Sequence, residues 1–229
     1  MKKIEEKIKY EFNNKTLLEN ALIHSSYANE KKDKNLVNNE RLEFLGDAVL
    51  ELVISELLYN NYSNLKEGDM TKVRASLVCE SSLSKVANKL NLGNFIKLGK
   101  GEESTGGRNR KSILSDALEA LIGAMYLDGN LNAVKEFIQR EIFVDINVEE
   151  DVLLYDSKTT LQEIVQMKKG NCLEYETVKE EGPDHNKLFT VAVKLNNIPI
   201  AYGKSHTKKA AEQKAALKAI KLLKDDKCI

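Results

Sequence analysis

The chain has no tryptophan, only two prolines and only three cysteines in 229 residues. Cys79, Cys172 and Cys228 are odd in number, widely spaced and unaccompanied by CxxC or Cys/His clusters. That pattern argues against a disulfide framework and a zinc site, and points to reduced, structural thiols. Long hydrophobic runs are also missing, so no stretch reads as a membrane span. The N-terminal MKKIEEKIKYEF mixes acids with bases and has no apolar centre, which excludes a secretory signal. A cytoplasmic setting with no membrane partner is expected. Neither sign of charge is in excess: 35 basic and 35 acidic residues cancel, so no global basic surplus advertises a nucleic-acid partner. The balance hides a split, with 21 basic against 24 acidic residues up to position 150 and 14 against 11 beyond it. A polyanion would meet the C-terminal part first.

What is present is enough apolar residue, 42% of the chain, to build one large or two modest domains. Residues 1–150 contain no proline, and apolar residues recur there at helical spacing over 15–28, 39–60, 69–91, 112–127 and 131–143, which predicts an all-α N-terminal domain. Asn60-Asn61, Lys66-Glu67-Gly68, Gly93, the glycine-containing loop 99–111 and Asp128-Gly129 punctuate these runs. Ser112 or Ser115 is expected to cap the helix after that loop. Beyond the acidic segment 145–157 the texture changes. Residues 157–169 suit a helix, 173–179, 188–195 and 198–203 alternate as strands do, and 207–224 return to helix. Both prolines, Pro183 and Pro199, fall in the connections between strands. The order α-β-β-β-α predicts a small α+β domain behind the helical one.

The segment NNERLEFLGDAVLELV (38–53) places Glu40, Glu43, Asp47 and Glu51 within an arc of roughly 80° on one side of a helix. Apolar residues cover nearly every other direction, the pattern of a helix surrounded by protein. Carboxylates crowded beside a core repel one another and lose hydration, so they need a counter-cation or shared protons. A second helical segment, SILSDALEALIGAMYLD (112–128), carries Asp116 and Glu119 three residues apart. If the two helices cross, Glu43, Asp47, Asp116 and Glu119 enclose an oxygen-only cation site of the kind that suits Mg²⁺ or Mn²⁺. Such a site can activate water and steady the leaving oxygen of a phosphodiester. The bland alternative is that each acid pairs with an arginine, for which Arg41 and Arg74 are available. A di-iron carboxylate bundle would need Glu-x-x-His pairs; Ala21, Gly182 and Gly203 precede the three histidines by three positions, so none exists.

NERLEFLGDAVL (39–50) resembles the signature of ribonuclease III, the endonuclease family that cuts double-stranded RNA. FNNKTLLENALIHSSYANE (12–30), EGDMTKVRASLV (67–78) and LGKGEESTGGRNRKSILSDALEALIGAMYLD (98–128) extend the likeness. The resemblance implies a catalytic domain over 1–150, with a motif core of about 6–130. It implies Glu43, Asp47, Asp116 and Glu119 as Mg²⁺ ligands, Asp47 and Glu119 as the catalytic pair, and Glu40 and Glu67 as second-tier acids of the same valley. Phe44, which taken alone reads as core, matches the aromatic that plugs a socket on a second subunit, so a homodimer is implied.

Residues 157–226 are similar to a double-stranded RNA-binding domain. A-form duplexes hide their bases, so such a reader touches minor-groove 2′-hydroxyls and the flanking phosphates. The resemblance assigns Gln162 and Glu163 on the first helix, Pro183, Asp184 and His185 on the first strand connection, and Lys208 and Lys209 at the start of the last helix. Lys204 and Lys214 stand nearby. Glu212 occupies a position where the strongest binders of the family carry a third basic residue. His24 reads as structural. Arg108, Arg110 and Lys111 of the 99–111 loop are open to RNA contact or to a plain connecting role. The expected function is Mg²⁺-dependent hydrolysis of double-stranded RNA, leaving 5′-phosphate and 3′-hydroxyl ends, in the processing of precursor ribosomal and other structured RNA, with no small-molecule cofactor. A non-cleaving RNA-binding scaffold is the alternative, and loss of one of the four acids would be its mark.

Overall fold

The computed structural model describes residues 2–31, 36–144, 157–167, 170–183 and 187–225. The chain divides into two compact units, residues 1–146 and 147–229.

The first unit is helical throughout, as the proline-free apolar spacing predicts: α1 (Lys2–Ile8), α2 (Lys15–Ala21), α3 (Ser25–Lys31), α4 (Glu40–Asn61), α5 (Glu67–Val78), α6 (Glu80–Lys89), α7 (Lys100–Ser104), α8 (Lys111–Asp128) and α9 (Leu131–Glu141). Its core is the face where α4 meets α8, built from Leu50, Val53, Ile54, Leu118, Leu121 and Ile122, all fully buried. Two glycines let these helices touch backbone to backbone. A Cβ on Gly46 would collide with the Glu119 carbonyl, and one on Gly123 with the Leu42 carbonyl. Small residues at a crossing permit this closeness.

Several expectations need correction. The run 15–28 is two helices, because residues 22–24 leave the helix to pair with 96–98: Lys97 N–H donates to Leu22 O at 2.8 Å, and His24 N–H to Lys97 O at 3.1 Å. The run 69–91 breaks at Cys79, whose extended backbone (φ −70°, ψ 152°) starts α6. Apolar spacing continues across both breaks, so periodicity alone did not reveal them. The N-terminal segment forms α1, with Ile4 and Ile8 fully buried. Helix α8 begins at Lys111, so Ser112 and Ser115 lie inside it, and Ser115 Oγ donates to Ser112 O instead of capping. Helix α4 is not surrounded by its own chain: Phe44 is 81% exposed, with Leu52 and Tyr59 also exposed, so Phe44 is not core.

The second unit has α10 (Ser157–Gln166), β1 (Leu173–Glu181), β2 (Leu188–Leu195), β3 (Ile198–Ser205) and α11 (Lys208–Asp225), the expected α-β-β-β-α order. The sheet is antiparallel with order β1-β2-β3, pairing Thr177 with Val191 and Val191 with Gly203. Asn196 and Asn197 both adopt positive φ (50° and 68°), as a two-residue type I′ hairpin requires. Leu161, Val165, Val193, Ala215, Ala219 and Ile220 make the core between sheet and helices. Gly203 brings β3 against the Ala211 and Ala215 backbone of α11. Pro199 lies within β3, opposite Lys194 at a register irregularity, and not in a connection. An edge strand tolerates its missing N–H.

Candidate functional site

The glycine crossing sets the site. Glu43 and Asp47 flank Gly46 on α4, and Glu119 itself supplies the carbonyl that Gly46 meets, so the two acid pairs converge where the helices are closest. Carboxylate oxygens of Glu43, Asp116 and Glu119 all lie within 4.8 Å of one another, each side chain half-buried. Asp47 is exposed and stands outside that trio, close enough to raise the pKa of both Glu43 and Glu119.

Electrostatics confirm the crowding. Burial, then the charges of Asp47, Asp116 and Glu43, push the Glu119 carboxyl up to about 8. Burial and then Asp116, Glu40 and Asp47 raise Glu43. Asp116 is raised by burial and by Glu80, against the opposing pull of the Ser115 hydroxyl and His24. Among the described residues no basic side chain forms an ion pair with this group. Arg74 donates to Ser55 Oγ at 2.9 Å, and Arg41 is exposed. The arginine-pairing reading of the acids therefore fails. An all-oxygen set held close, short of positive charge and retaining protons without it, is the donor chemistry of a hard divalent cation, so the residues fit a metal ion.

Glu40, exposed at the first turn of α4, joins the field around Glu43. Glu67 is placed elsewhere. It accepts from Thr71 Oγ1 at 3.0 Å and lines a cavity of about 590 Å³ with Leu52, Tyr59, Met70 and Arg74. Sequence reasoning missed Glu80 and His24 as neighbours of Asp116, because both come from chain breaks that periodicity did not show. His24 Nδ1 accepts from Ser26 N–H at 3.2 Å and lies 2.8 Å from Ser26 Oγ, which ties it to the 22–24 break. In the 99–111 loop, Arg108 donates to Gly93 O and Ile96 O and pairs with Glu103, while Arg110 pairs with Glu102 at 2.5 Å. These contacts tie the loop to itself and to the backbone of residues 93 and 96. Lys111 is exposed.

In the second unit, Gln162 and Glu163 are exposed on α10 and Pro183 is exposed between β1 and β2. Asp184 and His185 lie outside the described residues, as do Cys228 and the 145–156 segment. Lys208 and Lys209 are exposed in the first turn of α11, where Thr207 Oγ1 caps Ala210 N–H at 3.2 Å and the helix dipole adds positive potential. Lys204 and Lys214 are exposed too. Lys208 Nζ pairs with Glu180 at 2.8 Å above the Phe189 ring, and Glu212 pairs with Lys158 at 2.6 Å.

Comparison with known proteins agrees with both units. A family profile described as Ribonuclease-III-like matches residues 14–146, and the double-stranded RNA binding motif matches 157–223. Ribonuclease 3 of Caldanaerobacter subterraneus subsp. tengcongensis is 51% identical over 222 residues, 96% of each chain. Ribonuclease 3 of Bacillus cereus is 46% identical over 98% of this chain and 91% of its own. A solved nuclease domain of ribonuclease III from Campylobacter jejuni, described for flexibility in a region involved in dimer formation, is 49% identical with a TM-score of 0.57, covering 61% of this chain and 94% of that domain.

A helical unit with converging acids, followed by a duplex-RNA reader, defines an endonuclease of double-stranded RNA. The chain belongs to the ribonuclease III family. Among the described residues no helix is long and apolar enough to cross a membrane.

Proposed function

We propose that Glu43, Asp116 and Glu119, completed by Asp47, hold Mg²⁺, with Mn²⁺ able to substitute, and that Asp47 and Glu119 are the catalytic pair. The carrying observation is the trio of carboxylates within 4.8 Å that makes no ion pair with a lysine or arginine among the described residues. A divalent ion held there would supply Lewis acidity, which would make water a nucleophile near neutral pH and offset phosphate charge. Glu119, whose carboxyl is pushed up to about 8, would have to lose its proton to serve as a ligand, so metal binding there would be coupled to proton release. Glu40 strengthens the negative field that keeps the cation in place. Hydrolysis leaves 5′-phosphate and 3′-hydroxyl ends.

The second unit brings the polyanion to this negative centre. Gln162 and Glu163 face minor-groove 2′-hydroxyls, Pro183, Asp184 and His185 reach the next minor groove, and Lys208 and Lys209 take the phosphates between. The active species is a homodimer. The exposed Phe44 on α4, together with a cavity of about 590 Å³ lined in part by the exposed Leu52 and Tyr59 of the same helix, supports a ball-and-socket contact in which Phe44 of one copy enters the cavity of the other. The C. jejuni nuclease domain is described as having a region involved in dimer formation, which supports a dimer here. Glu67, on the cavity rim, then belongs to the second tier of acids. Precursor ribosomal and other structured RNA in the cytoplasm are the substrates.

The test is cleavage of a perfect RNA duplex by the wild type and Glu119→Ala, in Mg²⁺ or EDTA. Discrete products that need Mg²⁺ and vanish in the variant, while duplex binding in EDTA persists, support the reading. Binding without cutting by the wild type, in Mg²⁺ and when Mn²⁺ is supplied instead, would replace it with an RNA scaffold.

A further inference from the structure

Two cations of the RNA-binding unit carry carboxylates of their own. Lys158 and Gln162 are four residues apart on α10, and Lys208 and Glu212 are four apart on α11, so each pair shares a helix face. Lys158 Nζ sits 4.6 Å from the Tyr175 ring centre and 2.6 Å from Glu212. Its own N–H donates to Gln213 Oε1 at 3.1 Å, which fixes the start of α10 against α11. Lys208 Nζ lies 5.4 Å from the Phe189 ring centre and 2.8 Å from Glu180, and Glu180 also reaches Lys187 at 3.5 Å. Each lysine is thus held between an aromatic face and a carboxylate.

We propose that Glu180 and Glu212 are built-in counter-ions that hold Lys208 and Lys158 until duplex phosphate displaces them, and so set how tightly this protein grips RNA. The inference rests on the RNA-binding face proposed above. Glu212 then has a positive assignment: where a third basic residue would stand, this chain has an acid that occupies the lysine of the neighbouring helix. The Lys208–Glu180 pair is exposed and the Lys158–Glu212 pair half-buried, both within reach of water, and such pairs are weak enough for phosphate to replace the carboxylate. Binding nevertheless loses the internal pair, a penalty of about two- to fivefold in affinity for each lysine by the usual worth of such pairs. Because salt weakens the internal pair as well, the penalty shrinks as ionic strength rises.

The experiment measures binding of a short perfect duplex by the full chain in EDTA, from 0.05 to 0.5 M salt as roughly the range over which phosphate contacts are screened. Variants are Glu180→Gln, Glu212→Gln, both together, and Glu174→Gln, which removes the same charge from β1 without freeing either lysine. Lys209→Ala reports on the face itself. The expected result is a gain of about two- to fivefold for each of the first two at low salt, multiplicative in the double variant and fading at high salt, with little change for Glu174→Gln. Equal gains from Glu174→Gln, or none from the other two while Lys209→Ala weakens binding, would overturn the counter-ion inference alone. No loss from Lys209→Ala or from Lys208→Ala would instead overturn the underlying face.

Discussion

The acid cluster of the helical unit and the basic face of the α+β unit treat charge in opposite ways. At the cluster, like charges converge: carboxylate oxygens of Glu43, Asp116 and Glu119 lie within 4.8 Å of one another, with no lysine or arginine ion pair among the described residues. In the α+β unit, opposite charges meet at the surface, Lys158 with Glu212, Lys208 with Glu180 and Lys179 with Glu181. The first arrangement costs stability that a bound cation returns. The second is nearly neutral and costs little to rearrange. A reaction centre needs an unmet demand for positive charge, whereas a grip that must form and release needs demands already met by weak, exchangeable partners.

The most damaging way to break the contrast is Gly46→Ala. The new Cβ meets the Glu119 backbone, which cannot step aside as a side chain would, so the helices part. A loss of about 1–3 kcal/mol or more in unfolding free energy is expected, with loss of cleavage, by urea melts and a duplex assay. Alanine at the exposed Gly68, which meets nothing, should be harmless by comparison.

Phe44→Ala separates exposure from function. The side chain is 81% exposed, so the folded chain should lose less than about 0.5 kcal/mol. Self-association should weaken by about 2 kcal/mol or more, measured by sedimentation equilibrium, if the ring is an interface anchor. An unchanged dimer would place the contact elsewhere.

A third test uses pH. Glu119 keeps its proton up to about 8 in the fold but only to the ordinary 4.5 when unfolded. Between these values the folded state binds more protons, so stability is greatest below about pH 4.5 as far as this group is concerned and falls as pH rises toward 8. In EDTA the melting temperature should therefore drop along that window relative to Glu119→Gln. Mg²⁺ should restore more at pH 8 than at pH 5. At pH 8 without metal, Glu119→Gln should melt about 2–4 °C higher than wild type if relief of the cluster is worth about 1 kcal/mol.

The smallest effect belongs to the other unit. Glu180→Gln should leave the urea midpoint close to that of the wild type, with any difference at low salt erased at roughly 0.5 M.

Much of this was legible beforehand, for physical reasons that differ by element. Helix α4 declares itself because burial imposes a 3.6-residue period on Leu, Val and Ile, whereas β2 buries Thr190, Val191, Ala192 and Val193 in succession although its sequence alternates. The acids stood out because carboxylates rarely occur at such spacing beside a core. Periodicity did not reveal which apolar face meets the chain's own core, so Phe44 read as buried when it is exposed. It also passed over the breaks at residues 22–24 and Cys79, where backbone pairing and an extended turn interrupt an unbroken apolar rhythm. Those breaks bring His24 and Glu80 toward Asp116. Gly46 and Gly123 were in plain view, but their meaning depends on a contact between helices more than seventy residues apart. The partners of Lys158 and Lys208 likewise follow from tertiary packing, so Glu212 read as a missing base before it could be read as a counter-ion.

The central claim is that the converging carboxylates are the metal site. Calorimetric titration of the protein with Mg²⁺ at pH 7, in two buffers of different ionisation enthalpy, tests it most directly because it counts both ions and protons. The account predicts binding that releases protons, since the Glu119 carboxyl is largely protonated at that pH in the absence of metal, and it predicts that Glu119→Ala loses most of both the binding and the release. Mg²⁺ binding of unchanged affinity in the variant, or binding with no proton release by the wild type, would contradict it.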